Sequence, residues 1–290
     1  MNPNFVRQLR TLLVLGRVSN LPTIWSNCLA GWWLGGGETW GKLPVLLFGA
    51  SALYAGGMFL NDAFDADFDR QRRPTRPIPS GAISPPAVWR WGFAWLAAGA
   101  LTLALLGRTT GVLALALTAC IIIYDATHKA ITASPWLMGL CRFWVYVVAG
   151  STGVQGVNGW PIWCGVALAI YVAGLSWVAR RQSARGPVSR WPLMLLAAPI
   201  LLALLMNAGA DRKSAALIAL VLALWIARSV RPVFSAAEPN VPRMVSDLAA
   251  GIVLVDWLAV APQIPRPLSL VVFLTLFGAT KLLQRLVPAA

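Results

Sequence analysis

Long apolar segments separated by short polar loops are the feature that most constrains the fold of this 290-residue chain. A helix needs about 20 apolar residues to cross the hydrocarbon core of a bilayer. Ten segments approach that length, at about 20–37, 43–60, 89–106, 110–124, 135–155, 161–179, 191–208, 213–230, 247–261 and 268–285. Because the fourth and ninth are the shortest, the sequence predicts an all-α membrane bundle of nine or ten transmembrane helices. We expect residues 1–290 to form a single domain.

The composition excludes a soluble globular enzyme. Only 12% of the residues are charged, against about 25% in ordinary soluble domains, and 58% are hydrophobic. The 15 tryptophans are typical of the aromatic belts at the two membrane interfaces. We therefore expect an integral multi-pass protein that has the lipid bilayer as its surroundings.

The net charge of +14 is distributed over the loops rather than along one basic face. This distribution argues against a nucleic-acid partner and is typical of the excess of Lys and Arg in cytoplasmic loops. Most of the cations fall on the cytoplasmic side if the N-terminus is cytoplasmic. The longest polar interruption, residues 61–89, then lies on that side too. We expect the active site there, in a central cavity that opens to the cytoplasm.

Four of the ten acidic residues are concentrated in eight positions, 62–69, at the end of the second apolar segment. On a continuous helix Asn61, Asp62, Asp65 and Asp69 fall within an arc of about 100°, whereas Asp67 points to the opposite side. Such carboxylates repel one another and are costly in a membrane, so a cation must compensate them. Hard oxygen ligands on one face favour Mg²⁺. The alternative is a helix end whose acids only pair with the arginines that follow.

The stretch from Asn61 to Ser84 resembles the first aspartate-rich motif and following loop of the UbiA superfamily of intramembrane prenyltransferases. The matching residues are Asn61-Asp62-x-x-Asp65-x-x-x-Asp69 and Arg73-Pro-Thr-Arg-Pro-Ile-Pro-Ser-Gly-Ala-Ile-Ser84. The resemblance implies a bundle of usually nine spans around a central cavity. It also implies transfer of a prenyl group from a prenyl diphosphate to an aromatic or other small lipophilic acceptor, with Mg²⁺ holding the diphosphate.

The same resemblance implies roles for individual residues. The metal ligands are Asn61 and Asp65, with Asp62 and Asp69 as further ligands or as partners that hold the ligands, and the three aspartates are also catalytic. The loop cations that receive the diphosphate are Arg73 and Arg76. The chemistry is consistent with these roles, because a diphosphate leaves an allylic carbon easily only when its developing charge is neutralised. Mg²⁺ and arginine donors neutralise such a charge.

A second polar site follows the fourth apolar segment, at Tyr124-Asp-Ala-Thr-His-Lys129. It resembles the family's Tyr and Lys pair, with one additional residue between the two. The resemblance implies that Tyr124 donates a hydrogen bond to the substrate and that Lys129 is a catalytic, phosphate-binding cation. The alternative is that Lys129 only anchors the loop at the membrane surface. We expect His128, the single histidine of the sequence, to face solvent, and the alternative is a catalytic base.

Arg142 lies within an apolar segment, where it needs a counter-charge or an aqueous cavity. Two interpretations stay open. It binds substrate, through the acceptor or the diphosphate, or it pairs with an acid of another helix such as Asp256.

One part of the family pattern is missing from the sequence. The second acidic cluster, expected at the end of the sixth segment, is replaced by residues 176–190, which hold no acid but contain Arg180, Arg181, Arg185 and Arg190. Asp247 and Asp256 do not replace it easily, because nine residues on one helix place them about 180° apart. The alternative function is therefore a non-catalytic UbiA-like protein that binds or exports an isoprenoid.

Two further stretches, Ser19-Asn-Leu-Pro-Thr-Ile-Trp25 and Met138-Gly-Leu-Cys-Arg142, resemble a divergent UbiA-like branch associated with Ebo-type gene clusters. This finer resemblance implies a role in making or exporting a prenylated small molecule. An ordinary secondary transporter is disfavoured, because paired broken helices in both halves are expected there and only one half carries charged chemistry.

Overall fold

The computed structural model describes residues 3–180, 191–235, 240–263 and 266–287. Within these ranges the protein is all-helical and contains no strand, as the sequence predicts. The α-helices are α1 (Pro3–Leu15), α2 (Leu21–Leu34), α3 (Lys42–Phe64), α4 (Ala66–Arg72), α5 (Pro85–Ala104), α6 (Arg108–Thr127), α7 (Ser134–Gly150), α8 (Gly159–Arg180), α9 (Trp191–Met194), α10 (Ala198–Met206), α11 (Gly209–Ser235), α12 (Val241–Val260) and α13 (Arg266–Leu286). Arg181, Arg185 and Arg190, on which the prediction of a basic loop partly rests, lie outside the described residues.

Proline marks the start of several helices. Pro85 and Pro86 open α5, and Pro135 lies in the first turn of α7. A proline is tolerated there because the N–H that it lacks has no partner inside the helix. At α12 the side chain of Asn240 accepts a hydrogen bond from the backbone N–H of Arg243 at 3.0 Å, which caps the helix. These signals fix the ends of the loops that carry the polar residues.

Five helical stretches are long and apolar enough to cross a membrane. They are Lys42–Phe64, Arg108–Thr127, Gly159–Arg180, Asp211–Phe234 and Pro267–Leu286. The predicted segment 191–208 is helical over Trp191–Met206, a shorter apolar stretch that contains a tighter 3₁₀ turn at Leu195–Ala197. The total of nine or ten spans stays a prediction.

The outer surface of the bundle is apolar. Leu105 and Leu205 are 83% and 84% exposed, and Leu101, Leu217 and Leu286 are also largely exposed. A soluble monomer rarely shows so much apolar side-chain surface. This surface is therefore suited to contact with lipid tails.

Glycines let α3 and α5 approach each other closely. A methyl group added to Gly56 would lie 2.9 Å from the carbonyl oxygen of Gly92, and one added to Gly99 would lie 2.8 Å from that of Gly49. On each helix the two glycines are seven residues apart, so they lie on the same face. Small residues at such spacing are how membrane helices pack without a hydrophobic driving force. The contact fixes α3, whose C-terminal end carries the predicted site.

Candidate active site

A cavity of about 590 Å³ lies inside the bundle. Its wall is formed largely by residues of α2, α3, α6, α7, α8 and α12. Many of the lining side chains are apolar, among them Leu53, Leu117 and Val172. Charged lining residues such as Asp65 and Lys129 gather where α3 and α6 end. The cavity thus combines an apolar chamber with a charged region, a combination suited to a ligand with a lipophilic body and a polar head.

The predicted acidic face exists. Helix α3 ends at Phe64, Asp65 forms the turn and α4 continues the chain from Ala66. The acid cluster, defined as Asn61, Asp62, Asp65 and Asp69, is buried throughout. In contrast, the side chain of Asp67 is 90% exposed. The helical arc read from the sequence therefore separates the buried acids from the exposed one correctly.

Two arginines neutralise part of the acid cluster. Arg17 Nη2 donates to Asn61 Oδ1 at 3.0 Å and to Asp62 Oδ1 at 3.1 Å. Arg76 Nη1 donates to Asp62 Oδ1 at 3.1 Å and to Asp69 Oδ2 at 2.9 Å. The cation required by the clustered acids is thus supplied by the chain itself. Arg76, predicted to receive a diphosphate, reaches the site from the loop after α4.

Arg17 was not predicted as a site residue. It is one of many basic residues in the sequence, and it lies 44 positions before Asn61. Its backbone has φ 42° and ψ 49°, in the left-handed region that few residues other than glycine adopt. This unusual turn between α1 and α2 is compatible with a functional constraint. No local sequence signal distinguishes it from the other arginines.

Asp65 is paired with the loop between α6 and α7. Lys129 Nζ lies 2.7 Å from Asp65 Oδ1, and His128 Nε2 lies 3.2 Å from the same oxygen. The expectation that His128 faces solvent is therefore wrong, since its side chain is 16% exposed and contacts an acid. Lys129 also lies 3.8 Å from the centre of the Phe68 ring. Lys129 is thus directed into the site and is not only a loop anchor.

Burial and pairing act in opposite directions on the protonation of this contact. Burial raises the pKa of Asp65, but hydrogen bonds from His128 and Lys129 outweigh it and lower the pKa overall. Burial lowers the pKa of His128, but the Asp65 carboxylate raises it above its ordinary value. Both net shifts favour the charged forms of the pair.

Tyr124 and Arg73 also line the cavity. The Tyr124 ring stacks on His128, with ring centres 5.3 Å apart. Arg73 forms no ion pair within the described ranges, and burial followed by the charge of Arg76 lowers its pKa. These two predicted substrate-binding residues therefore have polar groups beside the acid cluster.

Asp125 is a second site residue that was not predicted individually. It lies on α6, is 2% exposed, lines the cavity and accepts a hydrogen bond from Asn61 Nδ2 at 3.1 Å. The sequence offered one signal, an acid at the end of an apolar segment beside Tyr124. Its meaning depends on the contact with Asn61, which is 64 positions away.

Arg142 belongs to a separate polar group, the inner network, defined as Ser26, Asn27, Arg142, Tyr146 and Asp256. Arg142 Nη1 donates to Asn27 Oδ1 at 2.6 Å, and Asn27 Nδ2 donates to Asp256 Oδ2 at 2.7 Å. Ser26 and Tyr146 donate to the same carboxylate. Arg142 and Asp256 are thus linked through Asn27, and the described residues show no direct ion pair between them. Arg142 lines the cavity, whereas Asp256 is 0% exposed.

The other acid considered in the sequence lies elsewhere. Asp247 pairs with Lys281 of α13. Asp247 and Asp256 therefore have different partners, and neither pairs with a member of the acid cluster within the described chain.

At the end of α8, Arg180 donates to the backbone oxygens of Thr132 at 2.6 Å and His128 at 2.8 Å. The described part of the predicted basic stretch thus supports the loop that presents Lys129.

The acid cluster has the chemistry of a magnesium site. Its donors are carboxylate and amide oxygens, which Mg²⁺ prefers. Asp69 Oδ1 is buried and has no hydrogen-bond partner among the described residues. The arginine-paired geometry does not bring three acidic, histidine or cysteine side chains of the described chain together as a ready metal cage. The residues fit the ion by donor type, and cations of the chain already neutralise them.

The sequence matches a known family of membrane proteins. The chain belongs to the UbiA prenyltransferase family, whose model matches residues 19–238. It is therefore an integral membrane protein. This family agrees with the resemblance carried by residues 61–84.

Two curated relatives are digeranylgeranylglyceryl phosphate synthases. That of Methanothrix thermoacetophila is 44% identical over 89 residues, which cover 30% of this chain and 33% of the relative. That of Ignicoccus hospitalis is 36% identical over 128 residues, covering 44% of this chain and 42% of the relative. The matches thus span less than half of the length of these relatives.

The fold is similar to that of solved structures. A UbiA homologue from Archaeoglobus fulgidus bound to GPP and Mg²⁺ aligns with a TM-score of 0.65 at 16% identity, over 87% of this chain and 99% of that one. At this identity the likeness establishes the fold alone.

Proposed function

We propose that this protein transfers a prenyl group from a prenyl diphosphate to a small acceptor within the membrane, and that the transfer depends on Mg²⁺. The observation that supports this most is the buried acid cluster at the charged region of an apolar cavity of about 590 Å³. Family membership and the GPP and Mg²⁺ in a neighbouring structure support the same assignment. The whole chain, residues 1–290, acts as one domain in this proposal.

The acid cluster is the proposed metal site, with Asn61, Asp62, Asp65 and Asp69 as ligands. Mg²⁺, when bound there, neutralises charge on the diphosphate. Arg76 is suited to bind the diphosphate as well. Its long guanidinium side chain can turn from the carboxylates to phosphate oxygens, which it binds with the same donor geometry. We infer that Arg17 and Arg76 neutralise the acid cluster until substrate and metal bind.

Three further residues are proposed to bind the diphosphate. Arg73 and Lys129 supply cationic donors, and Tyr124 supplies a hydroxyl donor. All three line the cavity beside Asp65. In the transfer, the bond from the prenyl carbon to the diphosphate oxygen breaks and its electron pair leaves with the diphosphate. A new bond forms to the acceptor, which releases a proton.

We propose that Arg142 binds the acceptor rather than the diphosphate. It lies eight residues beyond Ser134, about 12 Å along α7 from the end that adjoins His128. Its guanidinium donates to Thr23 and Asn27 but forms no direct ion pair within the described chain, and such a charge inside a membrane protein is costly without an anion. We infer that the acceptor has an acidic group, a phosphate or a carboxylate. An acceptor with a phosphate agrees with the curated relatives, which are digeranylgeranylglyceryl phosphate synthases. An aromatic acid is the other candidate.

The orientation in the membrane is part of the same proposal. The cations near the site, at positions 17, 73, 76 and 129, agree with the excess of positive charge in cytoplasmic loops. We propose that the N-terminus and the open end of the cavity face the cytoplasm.

The test uses the full-length protein purified in detergent. GPP binding is measured with Mg²⁺ and with EDTA, and mass spectrometry then follows diphosphate release with a prenyl glycerol phosphate and with 4-hydroxybenzoate. We expect Mg²⁺-dependent binding and one diphosphate for each prenylated product. Binding that is unchanged by EDTA would contradict the metal assignment.

A non-catalytic protein that binds or exports an isoprenoid is the second candidate function. It is favoured by the basic end of α8, where Arg180 lies in place of an acid. Tight GPP binding without diphosphate release over a broad acceptor panel would support this candidate, including the Ebo-type role. A prenylated product would exclude it.

A further inference from the structure

Asp125 faces the acid cluster from another helix. It lies near the end of α6, whereas Asn61 lies near the end of α3. Both residues are buried, and Asn61 Nδ2 donates to Asp125 Oδ1 at 3.1 Å. This contact links the predicted metal-binding segment to α6, the neighbouring helix of the cavity wall.

The amide of Asn61 is held at both ends. Its oxygen accepts a hydrogen bond from Arg17 at 3.0 Å, and its nitrogen donates to Asp125. A rotated amide would place its oxygen against the Asp125 carboxylate and its NH₂ group against the guanidinium, and both contacts would be repulsive. The two neighbours therefore select one orientation, in which the oxygen faces the cation.

We propose that Asp125 is the positioning residue that keeps the Asn61 oxygen directed at the cation, whether that cation is Arg17 or Mg²⁺. The inference rests on the proposed function, in which Asn61 is a metal ligand. If Mg²⁺ replaces Arg17 at the amide oxygen, Asp125 is the remaining partner that holds the NH₂ group. A fixed amide lowers the cost of ordering the ligand, as hydrogen-bonded neighbours of metal ligands commonly do.

The surroundings of Asp125 differ from those of an acid that only stabilises the fold. Asp256 receives three hydrogen bonds, from Ser26, Asn27 and Tyr146, and both of its oxygens are used. Asp125 Oδ2 is buried but has no hydrogen-bond partner in the described part of the chain. A buried carboxylate oxygen without a hydrogen-bond donor costs free energy. The presence of such an acid beside the cavity indicates a role for its contact with Asn61.

The test is a double-mutant cycle on the full-length protein in detergent, with Mn²⁺ affinity measured by electron paramagnetic resonance in the absence of prenyl diphosphate. Asp125→Ala should weaken Mn²⁺ binding by about tenfold, the effect typical of a lost ligand-orienting partner. In the Asn61→Ala background the same change should have less than about a twofold effect, because there is no amide left to orient. Asp125→Asn, which keeps an acceptor oxygen, should recover part of the affinity.

Control variants and outcomes separate this inference from the proposed function. Asp67→Asn alters the exposed acid of the same segment and should leave Mn²⁺ affinity unchanged. If Asp125→Ala fails to fold, Asp125→Leu, an apolar residue of similar shape, replaces it in the cycle. An equal loss in both backgrounds, or no loss in the wild-type background, would overturn the positioning role. Wild-type protein that binds neither Mn²⁺ nor GPP would instead overturn the proposed function.

Discussion

Two buried acidic regions of this bundle are built from different partners. The acid cluster is neutralised by long cationic side chains, among them Arg17, Arg76 and Lys129. In the inner network, Asp256 accepts hydrogen bonds from the neutral side chains of Ser26, Asn27 and Tyr146, and Arg142 donates to Asn27.

The difference indicates which region is able to exchange partners. Long arginine and lysine side chains can turn from a carboxylate to a phosphate without moving the backbone. The buried neutral donors around Asp256 cannot turn away from it without leaving buried groups unpaired, which costs free energy. We therefore expect the acid cluster to bind ligand and Asp256 to hold α2, α7 and α12 together.

The largest effect is expected at Asp65. Asp65→Ala removes the carboxylate that pairs with His128 and Lys129, so Mg²⁺-dependent affinity for GPP should fall by at least about 100-fold. Equilibrium binding of labelled GPP measures the change, with Asp67→Asn as the matched acid control. Unchanged affinity would contradict the expectation that the acid cluster binds ligand.

Asp256 should affect stability rather than binding. Asp256→Ala leaves three buried donors without their acceptor, so the free energy of unfolding should fall by about 2 kcal/mol. Thermal unfolding in detergent measures this loss, and Asp256→Asn should lose less. An Asp256→Ala variant that keeps its stability but loses Mn²⁺ affinity would contradict a structural role for Asp256.

Arg142 tests whether the inner network also contacts substrate. Arg142→Gln should weaken binding of an acidic acceptor by about tenfold, since one charge-assisted hydrogen bond is lost. Binding of the matched neutral compound should stay the same. Two pairs, 4-hydroxybenzoate with its methyl ester and prenyl glycerol phosphate with prenyl glycerol, distinguish a carboxylate from a phosphate. Equal losses for charged and neutral compounds would indicate a purely structural Arg142.

Arg180 should give the smallest effect. It touches the site only through the backbone oxygens of Thr132 and His128. Arg180→Gln should therefore weaken GPP binding by only about threefold, the value of a single net hydrogen bond. A loss as large as that of Asp65→Ala would mean that Arg180 contacts the diphosphate itself.

The part of the site that could be predicted lies within short stretches of sequence. Asn61, Asp62, Asp65 and Asp69 share a face because helical periodicity is local, and the buried and exposed acids follow it. Tyr124 and Lys129 lie in a second short stretch and were predicted from its resemblance to the family's Tyr and Lys pair. The 3₁₀ turn between α9 and α10 was not predicted, because an apolar composition does not distinguish a regular α-helix from one that contains a tighter turn.

The residues that were missed depend on distant contacts. Arg17 and Asp125 approach Asn61 from 44 and 64 positions away, and His128 lies against Asp65 instead of facing solvent. Neither the charge of Arg17 nor the type of Asp125 distinguishes it in the sequence. Arg17 and Asp125 are site residues because they contact Asn61, and His128 is one because it contacts Asp65.

The sequence by itself determined the all-helical class, the family and the acidic face, because hydrophobic periodicity and short-range spacing are properties of neighbouring residues. Only the tertiary structure decided which cations neutralise that face, which acid accepts a hydrogen bond from Asn61 and how Arg142 connects to Asp256. Those pairings depend on how α2, α3, α6, α7 and α12 pack together, and packing is set by shape and close approach across the whole bundle.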